Sequence, residues 1–194
     1  MVSGRESHAS AIAGESELVE RVRTGETEAF GELVRRYQRR AYAIAYRLLR
    51  QQQDAEDLVQ DAFMTALDKL DSFDVRRPFG PWFFRILVNR GTSQLRARNV
   101  RATEEIAESI GDTAPSPARL VEQAEIGERV RAAMADLSER QRLVVQLLEI
   151  DGFTTAEVAE MLEIAEPTVR WTLHEARKRL RAGLETWRKA RDDG

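Results

Sequence analysis

The sequence predicts an all-α fold, and three observations carry that expectation. Every apolar pattern that repeats does so with helical period. No alternating run of β-branched residues interrupts the repeats, and glycines, prolines and capping-box spacings stand where helices should begin and end. A chain of 194 residues, 42% hydrophobic and 32% charged, suits one large folded domain or two small ones. It holds no cysteine, which excludes disulfides, thiolate metal sites and cysteine nucleophiles. Its histidines, His8 and His174, lie too far apart in sequence and context to suggest a metal pair. No metal, no cofactor and no catalytic residue is expected.

The first residues, 1–15, lack the basic start and apolar core of a secretory signal, so a disordered tail is expected there. No apolar run approaches the roughly 18 residues of a membrane-spanning helix, which excludes membrane insertion and points to a cytoplasmic protein. "ELVERVRTG" then sets Leu18, Val19 and Val22 on one face and stops at Gly25, a residue that ends helices easily. "EAFGELVRRYQRRAYAIAYRLL" continues with Phe30, Leu33, Val34, Tyr37, Ala41, Ala45, Leu48 and Leu49. "DAEDLVQDAFMTALDKL" carries a wide stripe of Ala55, Leu58, Val59, Ala62, Phe63, Ala66, Leu67 and Leu70, suited to a bundle core.

The same region is acidic. Residues 51–74 contain seven acids and only Lys69 against them. Asp57, Gln60 and Asp61 share a face opposite the apolar stripe, with Asp54 and Asp68 near it. Such a face is either simply solvated or the dock for a basic protein; it cannot serve DNA.

Next comes "RRPFGPWFFRILVNRGTSQLRAR", in which Phe79, Trp82, Phe83 and Phe84 are set among arginines. From Arg76 to Ala102 there are seven arginines and no acid, in a chain of net charge -3. Aromatic faces beside a basic groove suit single-stranded nucleic acid, whose bases stack while its phosphates are neutralised. A helix is expected from Pro81. Trp82 and Ile86, with Phe83 or Leu87, would form its inward stripe, leaving Phe79 free to meet a base. Arg85, Asn89, Ser93 and Arg96 recur at helical spacing as one polar face, and Asn can pair bidentately with a base edge. The competing reading is an amphipathic core helix with solvated arginines.

After Arg101 the composition changes: residues 102–128 hold seven acids against Arg119, with Gly111, Pro115 and Pro117 among them, as in a linker. Helical period resumes near Val121. Ser138 with Gln141, and Thr154 with Glu157, are capping-box spacings. A short helix from Thr155 to about Glu163, a turn at Ile164–Ala165 and a second helix with Pro167 in its first turn read as a helix-turn-helix. The second helix would bury Val169, Leu173, Ala176 and Leu180. Its other side carries Arg170, His174, Arg177, Lys178 and Arg181, enough charge for a phosphate backbone. A helical bundle with a solvated basic face is the alternative. The expected organisation is a tail at 1–15, a helical domain at 16–98, a flexible acidic linker at 99–122 and a helix-turn-helix domain at 123–190.

"GETEAFGELVRRY", "DAEDLVQDAFMTAL", "PFGPWFFRILVNR" and "LSERQRLVVQLLEIDGFTTAEVAEMLEIAEPTVRWTLHEARKRLR" together resemble, in order and spacing, the conserved blocks of the extracytoplasmic-function (ECF) sigma factors, the smallest members of the sigma-70 family. The resemblance spans most of residues 18–184. It implies that Asp54, Asp57, Gln60 and Asp61 dock on the β′ clamp of core RNA polymerase. It implies that Arg76, Arg77, Phe79, Arg85, Asn89, Arg90, Ser93 and Arg96 meet the minus-ten promoter element, melting the duplex and holding single-stranded bases. Thr154, Thr168, Arg170, Trp171, His174, Arg177 and Lys178 would meet the minus-thirty-five duplex, with the β flap nearby. The acidic linker would mimic RNA in the polymerase cleft, and an anti-sigma factor would cover the docking helix and C-terminal domain.

This chain departs from the family pattern in places. Glu163 stands where a glycine is usual, Ala165 where a serine caps the helix, and Pro167 where another glycine is common. Trp171–Thr172 replaces a small-residue-plus-arginine pair, Ser93 an acid, and Gly91 weakens its helix locally. Two other classes compete. A stand-alone helix-turn-helix regulator would bind duplex DNA without polymerase, and an adaptor would bind protein only. A nucleic-acid enzyme is disfavoured by the lack of a His/Cys cluster or a GxxxxGK[ST] loop.

Overall fold

The computed structural model describes residues 14–104 and 132–192, and every regular element among them is helical, as the periodicity predicts. These residues form two compact units, one centred on the N-terminal helices and one on the C-terminal helices.

In the first unit, α1 (14–23) buries Leu18, Val19 and Val22. It ends at Gly25, whose φ of 102° is a conformation that glycine adopts without strain. The helix is already present at residue 14 and Glu15 is buried, so the expected tail gives way to structure before residue 15; residues 1–13 lie outside the described residues. α2 (Thr27–Leu49) closes with Arg50 in the left-handed region, its N–H bonded to the Tyr46 carbonyl, and α3 (Gln52–Asp68) returns antiparallel-fashion after a short turn. A 3₁₀ turn, Leu70–Ser72, follows. The Arg23 guanidinium fastens it by donating to the carbonyls of Leu70 and Phe73 at 2.7 and 2.5 Å.

α4 (Phe79–Glu104) begins two residues before the expected start and leaves Pro81 in the first turn. It also runs into the stretch expected as linker; residues 105–131, which hold the rest of that linker, lie outside the described residues. The buried face of α4 is Phe79, Phe83, Phe84, Leu87 and Val88. Trp82 and Ile86, expected inside, are only half-buried. Phe83 stacks on Phe63 of α3 at 4.3 Å between centroids, and Tyr37 of α2 packs on Phe79, Phe83 and Phe84. Gly91 has a packing reason: a Cβ there would stand 2.9 Å from Leu58 Cδ2 and 3.1 Å from Leu48 Cδ1.

In the second unit, α5 (132–135) leads to Ser138, which forms a full capping box with Gln141. α6 (Glu139–Val145) passes into a π-helical turn, Gln146–Ile150. Gly152, at φ 70°, turns the chain toward α7 (Thr155–Met161), whose start is the second capping box, Thr154 with Glu157. α7 stops two residues sooner than expected. Glu163 takes φ 54°, with Ile164 N–H on the Ala159 carbonyl at 3.0 Å and Glu163 N–H on that of Glu160 at 3.3 Å, a Schellman ending. α8 (Glu166–Asp192) then buries Val169 and Ala176, with Leu173 and Leu180 packed against Leu137, Val145 and Ala176.

Candidate nucleic-acid interface

The four aromatics that suggested base stacking have mostly another task. Phe79, Phe83 and Phe84 have no exposed surface, so the expectation that Phe79 is free to meet a base is corrected: its ring lies against Tyr37, Phe73 and Phe83. The proline two residues later pointed to a helix start beyond Phe79. The helix instead starts at Phe79 because Glu15 of α1 accepts its backbone N–H at 3.1 Å, satisfying an otherwise orphaned donor. The same carboxylate accepts the Tyr37 hydroxyl and, at 3.5 Å, the Arg36 guanidinium. Burial first, and then this hydrogen bond, push the Tyr37 phenol well above its ordinary value. Trp82, half-buried against Phe73 at 4.8 Å, is the one of these four aromatics that retains surface.

The polar residues of the segment do reach the surface. Arg85 and Asn89 are half-exposed, and Arg76, Arg77, Arg90, Ser93 and Arg96 are exposed. Asn89, Arg90 and Ser93 share a cleft of about 510 Å³ with Leu58, Asp61 and Gln94. Arg76 is held by the turn before it: its Nε and Nη2 each donate to the Asp74 carboxylate at 2.8 Å, and its backbone N–H adds 3.1 Å. Those bonds from Arg76 hold the Asp74 carboxyl down at about 2.

The acidic face of α3 is built as periodicity predicts, with Asp57, Gln60 and Asp61 exposed and Asp54 half-exposed. Its charges are not all free. Arg90 donates to Asp61 at 2.8 Å, and Arg98 lies 3.6 Å from Asp54. The sequence showed an acidic segment followed by a basic one; the fold pairs them across α3 and α4, which partly answers why the chain balances its arginines with acid. Sequence reasoning missed an apolar groove of about 660 Å³ beside this face, lined by Val34, Tyr42, Val59, Phe63, Met64 and Leu67 among others. Val59 and Leu67, expected in the core stripe, are half-exposed and 41% exposed, and Met64 beside them is 58% exposed.

On α8, Arg170, Trp171, His174, Arg177 and Lys178 are exposed on one side, opposite buried Val169, Thr172 and Ala176. Thr168 is half-exposed in the first turn. Thr154 is exposed, yet its hydroxyl is engaged in the cap, donating to Glu157 at 2.8 Å. Two of the cations carry acids of their own: Arg170 bonds Glu166 at 2.7 Å, and Arg177 bonds Glu149. Among the described residues no His, Cys, Asp and Glu cluster is arranged to hold a metal ion, and no helix is long and apolar enough to cross a membrane.

A helical unit with an acidic face and an arginine-lined cleft, together with a helix-turn-helix unit, defines a nucleic-acid-binding protein of the transcription class. Residues 33–101 match the Sigma-70 region 2 family, and residues 127–180 match Sigma-70, region 4. The ECF RNA polymerase sigma factor SigW of Bacillus subtilis is 30% identical over 176 residues, spanning 86% of this chain and 94% of that protein. The ECF RNA polymerase sigma-E factor of Escherichia coli K12 is 31% identical over 171 residues, or 83% of this chain and 89% of that protein. Among solved structures, CnrH in complex with the cytosolic domain of CnrY superposes with a TM-score of 0.66 at 27% identity, over 89% of this chain and 98% of that one. The sigma factor RpoE, in complex with the anti-sigma factor NepR from Bartonella quintana, gives 0.64 at 30% identity, over 80% and 96%. The chain belongs to the ECF group of the sigma-70 family of RNA polymerase sigma factors.

Proposed function

We propose that this sigma factor binds core RNA polymerase through α3, brings it to promoters through α8, and helps open the minus-ten element with the surface of α4. The observation that carries this reading is the separation of charge by helix: exposed carboxylates on α3 and exposed cations on α8, in a chain matching both sigma-70 regions. Asp54, Asp57, Gln60 and Asp61 form the docking face for the basic coiled coil of the clamp. Arg76, Arg77, Arg85, Asn89, Arg90, Ser93 and Arg96 hold the opened strand, with half-exposed Trp82 taking the stacking role first assigned to Phe79. Thr168, Arg170, Trp171, His174, Arg177 and Lys178 meet the upstream duplex, and Thr154 acts by capping α7. The acidic stretch that follows the end of α4 at Glu104 serves as the tether between the N-terminal and C-terminal domains.

The protein acts in the cytoplasm as an initiation factor rather than a catalyst. An anti-sigma factor is its natural inhibitor. The sigma factor RpoE of similar structure is bound to the anti-sigma factor NepR, and the apolar groove beside Gln60 offers such a partner a seat on the polymerase-docking side.

Co-elution of the purified chain with core RNA polymerase tests the reading. Asp57→Arg with Asp61→Arg should abolish association while leaving helicity intact, because both side chains are exposed. Replacing charge-assisted contacts by like-charge repulsion costs on the order of several kcal/mol at a docking surface. Wild-type co-elution of this variant would remove α3 from the interface. Failure of the unaltered chain to bind core would favour the stand-alone regulator.

A further inference from the structure

The cationic side of α8 carries one residue that phosphate binding does not explain. Trp171 is 64% exposed, with Arg170 before it and His174, Arg177 and Lys178 along the same side of the helix. The next residue, Thr172, faces inward at 4% exposure, so the indole is the side chain this position offers to a partner. An indole has one N–H donor, no acceptor and no charge, which makes it a poor phosphate ligand among so many better ones. It does present a broad apolar face. Trp171 lies in the second turn of α8, and the N-terminal residues of a recognition helix are those that reach base edges.

In the major groove each base pair shows a different set of groups, and thymine alone combines a methyl group with a neighbouring acceptor, O4. Cytosine offers a donor in place of that acceptor and lacks the methyl. Guanine offers acceptors without an apolar group. An apolar ring carrying one donor therefore matches thymine better than any other base. We infer that Trp171 is a specificity-determining residue that reads a thymine in the upstream promoter duplex, with its ring against the 5-methyl group. This rests on the reading of α8 as the helix that enters the major groove. It also gives the Trp171–Thr172 departure a consequence: the preferred upstream element differs from that of relatives with a small residue there.

The test uses the full chain assembled with core polymerase. The preferred upstream element is first selected from DNA randomised in that region. Each thymine in it is then replaced singly by deoxyuridine, which removes the methyl group and nothing else. One replacement should weaken wild-type binding about fourfold, the worth of one buried methyl. The Trp171→Ala holoenzyme should be indifferent to that replacement and should lose the thymine preference at the same position. A selected element without thymine, deoxyuridine tolerated at every position, or a loss that persists in Trp171→Ala would each overturn the assignment. Arg177→Ala with Lys178→Ala separates the two levels. If that variant binds more weakly with a shallower salt dependence while deoxyuridine is silent, the thymine assignment alone falls. If it binds the element as wild type does, α8 does not face DNA and the assignment falls with that reading.

Discussion

Glu163 illustrates how a single backbone angle ties sequence to fold. It sits at φ 54°, where a side chain crowds the following carbonyl, and it ends α7 so that α8 can start three residues later. The family preference for glycine at this turn has its physical reason here, and the chain tolerates glutamate at a strain of about 1 kcal/mol. Glu163→Gly should therefore stabilise the C-terminal unit by about that amount, read as slower amide exchange in α7 and α8. Equal or faster exchange would mean that the glutamate side chain compensates for the strain. Asp74 makes a different local commitment. Its carboxyl is held at about 2 by the Arg76 side chain and then by the Arg76 N–H. Because the folded value lies below the ordinary carboxylate range of about 4, its stabilising contribution is complete above about pH 4 and is lost as pH falls toward 2. Arg76→Ala should move the Asp74 titration upward, measured by carboxyl chemical shift; an unmoved midpoint would assign the depression to another group.

At the scale of elements, what the sequence revealed depended on how local the determining physics was. Both capping boxes, the glycine stops and the buried residues of α1 and α8 followed from spacing, since a cap or a stripe is written in a few adjacent residues. The start of α4 was missed because its cap is Glu15, a residue 64 positions away in sequence. Without that partner, Pro81 was the best local signal, and the error rotated the helix: Trp82 and Ile86 were expected inside, whereas Phe79 and Phe84 are. The ion pairs were equally illegible, being contacts between elements. Those on α8 have a testable effect. Glu149 and Glu166 occupy Arg177 and Arg170, two cations proposed to meet phosphate, so DNA must displace a carboxylate at each. Glu149→Gln and Glu166→Gln should each raise affinity of the free protein for the upstream duplex, by about 0.2–1 kcal/mol as for other exposed pairs, or up to about fivefold. Fluorescence anisotropy at low salt reads this directly. Unchanged affinity would show that these pairs do not compete with DNA.

For the whole molecule, the same balance of charge decides what it can do alone. Acid faces base across α3 and α4, Arg170 and Arg177 of α8 carry their own acids, and the net charge is -3. Long-range attraction to DNA is therefore weak, as suits a subunit that acts when polymerase supplies the rest of the contact. On the proposed reading, opening a promoter then draws on base stacking as well as on charge. Each stacking step lost in the duplex costs about 1.4 kcal/mol, and a base captured on an aromatic face recovers about 1–3 kcal/mol. Trp82 alone among the aromatics of residues 79–84 keeps ring surface, and Asn89, two turns further along α4, lines the α3–α4 cleft with donors and an acceptor for a base edge. Trp82→Ala with Asn89→Ala should thus leave upstream duplex binding intact yet reduce open complex about tenfold or more, scored by permanganate reactivity of unpaired thymines. A pre-melted template should restore transcription, because the missing stabilisation is then supplied by the template. Phe79→Ala should behave differently: removing a fully buried ring leaves a cavity worth about 3–5 kcal/mol, and the unit should lose stability on any template. If the Trp82 and Asn89 variant opens duplex promoters normally, the α4 surface does not capture the strand, and promoter opening must be assigned to other residues of the holoenzyme.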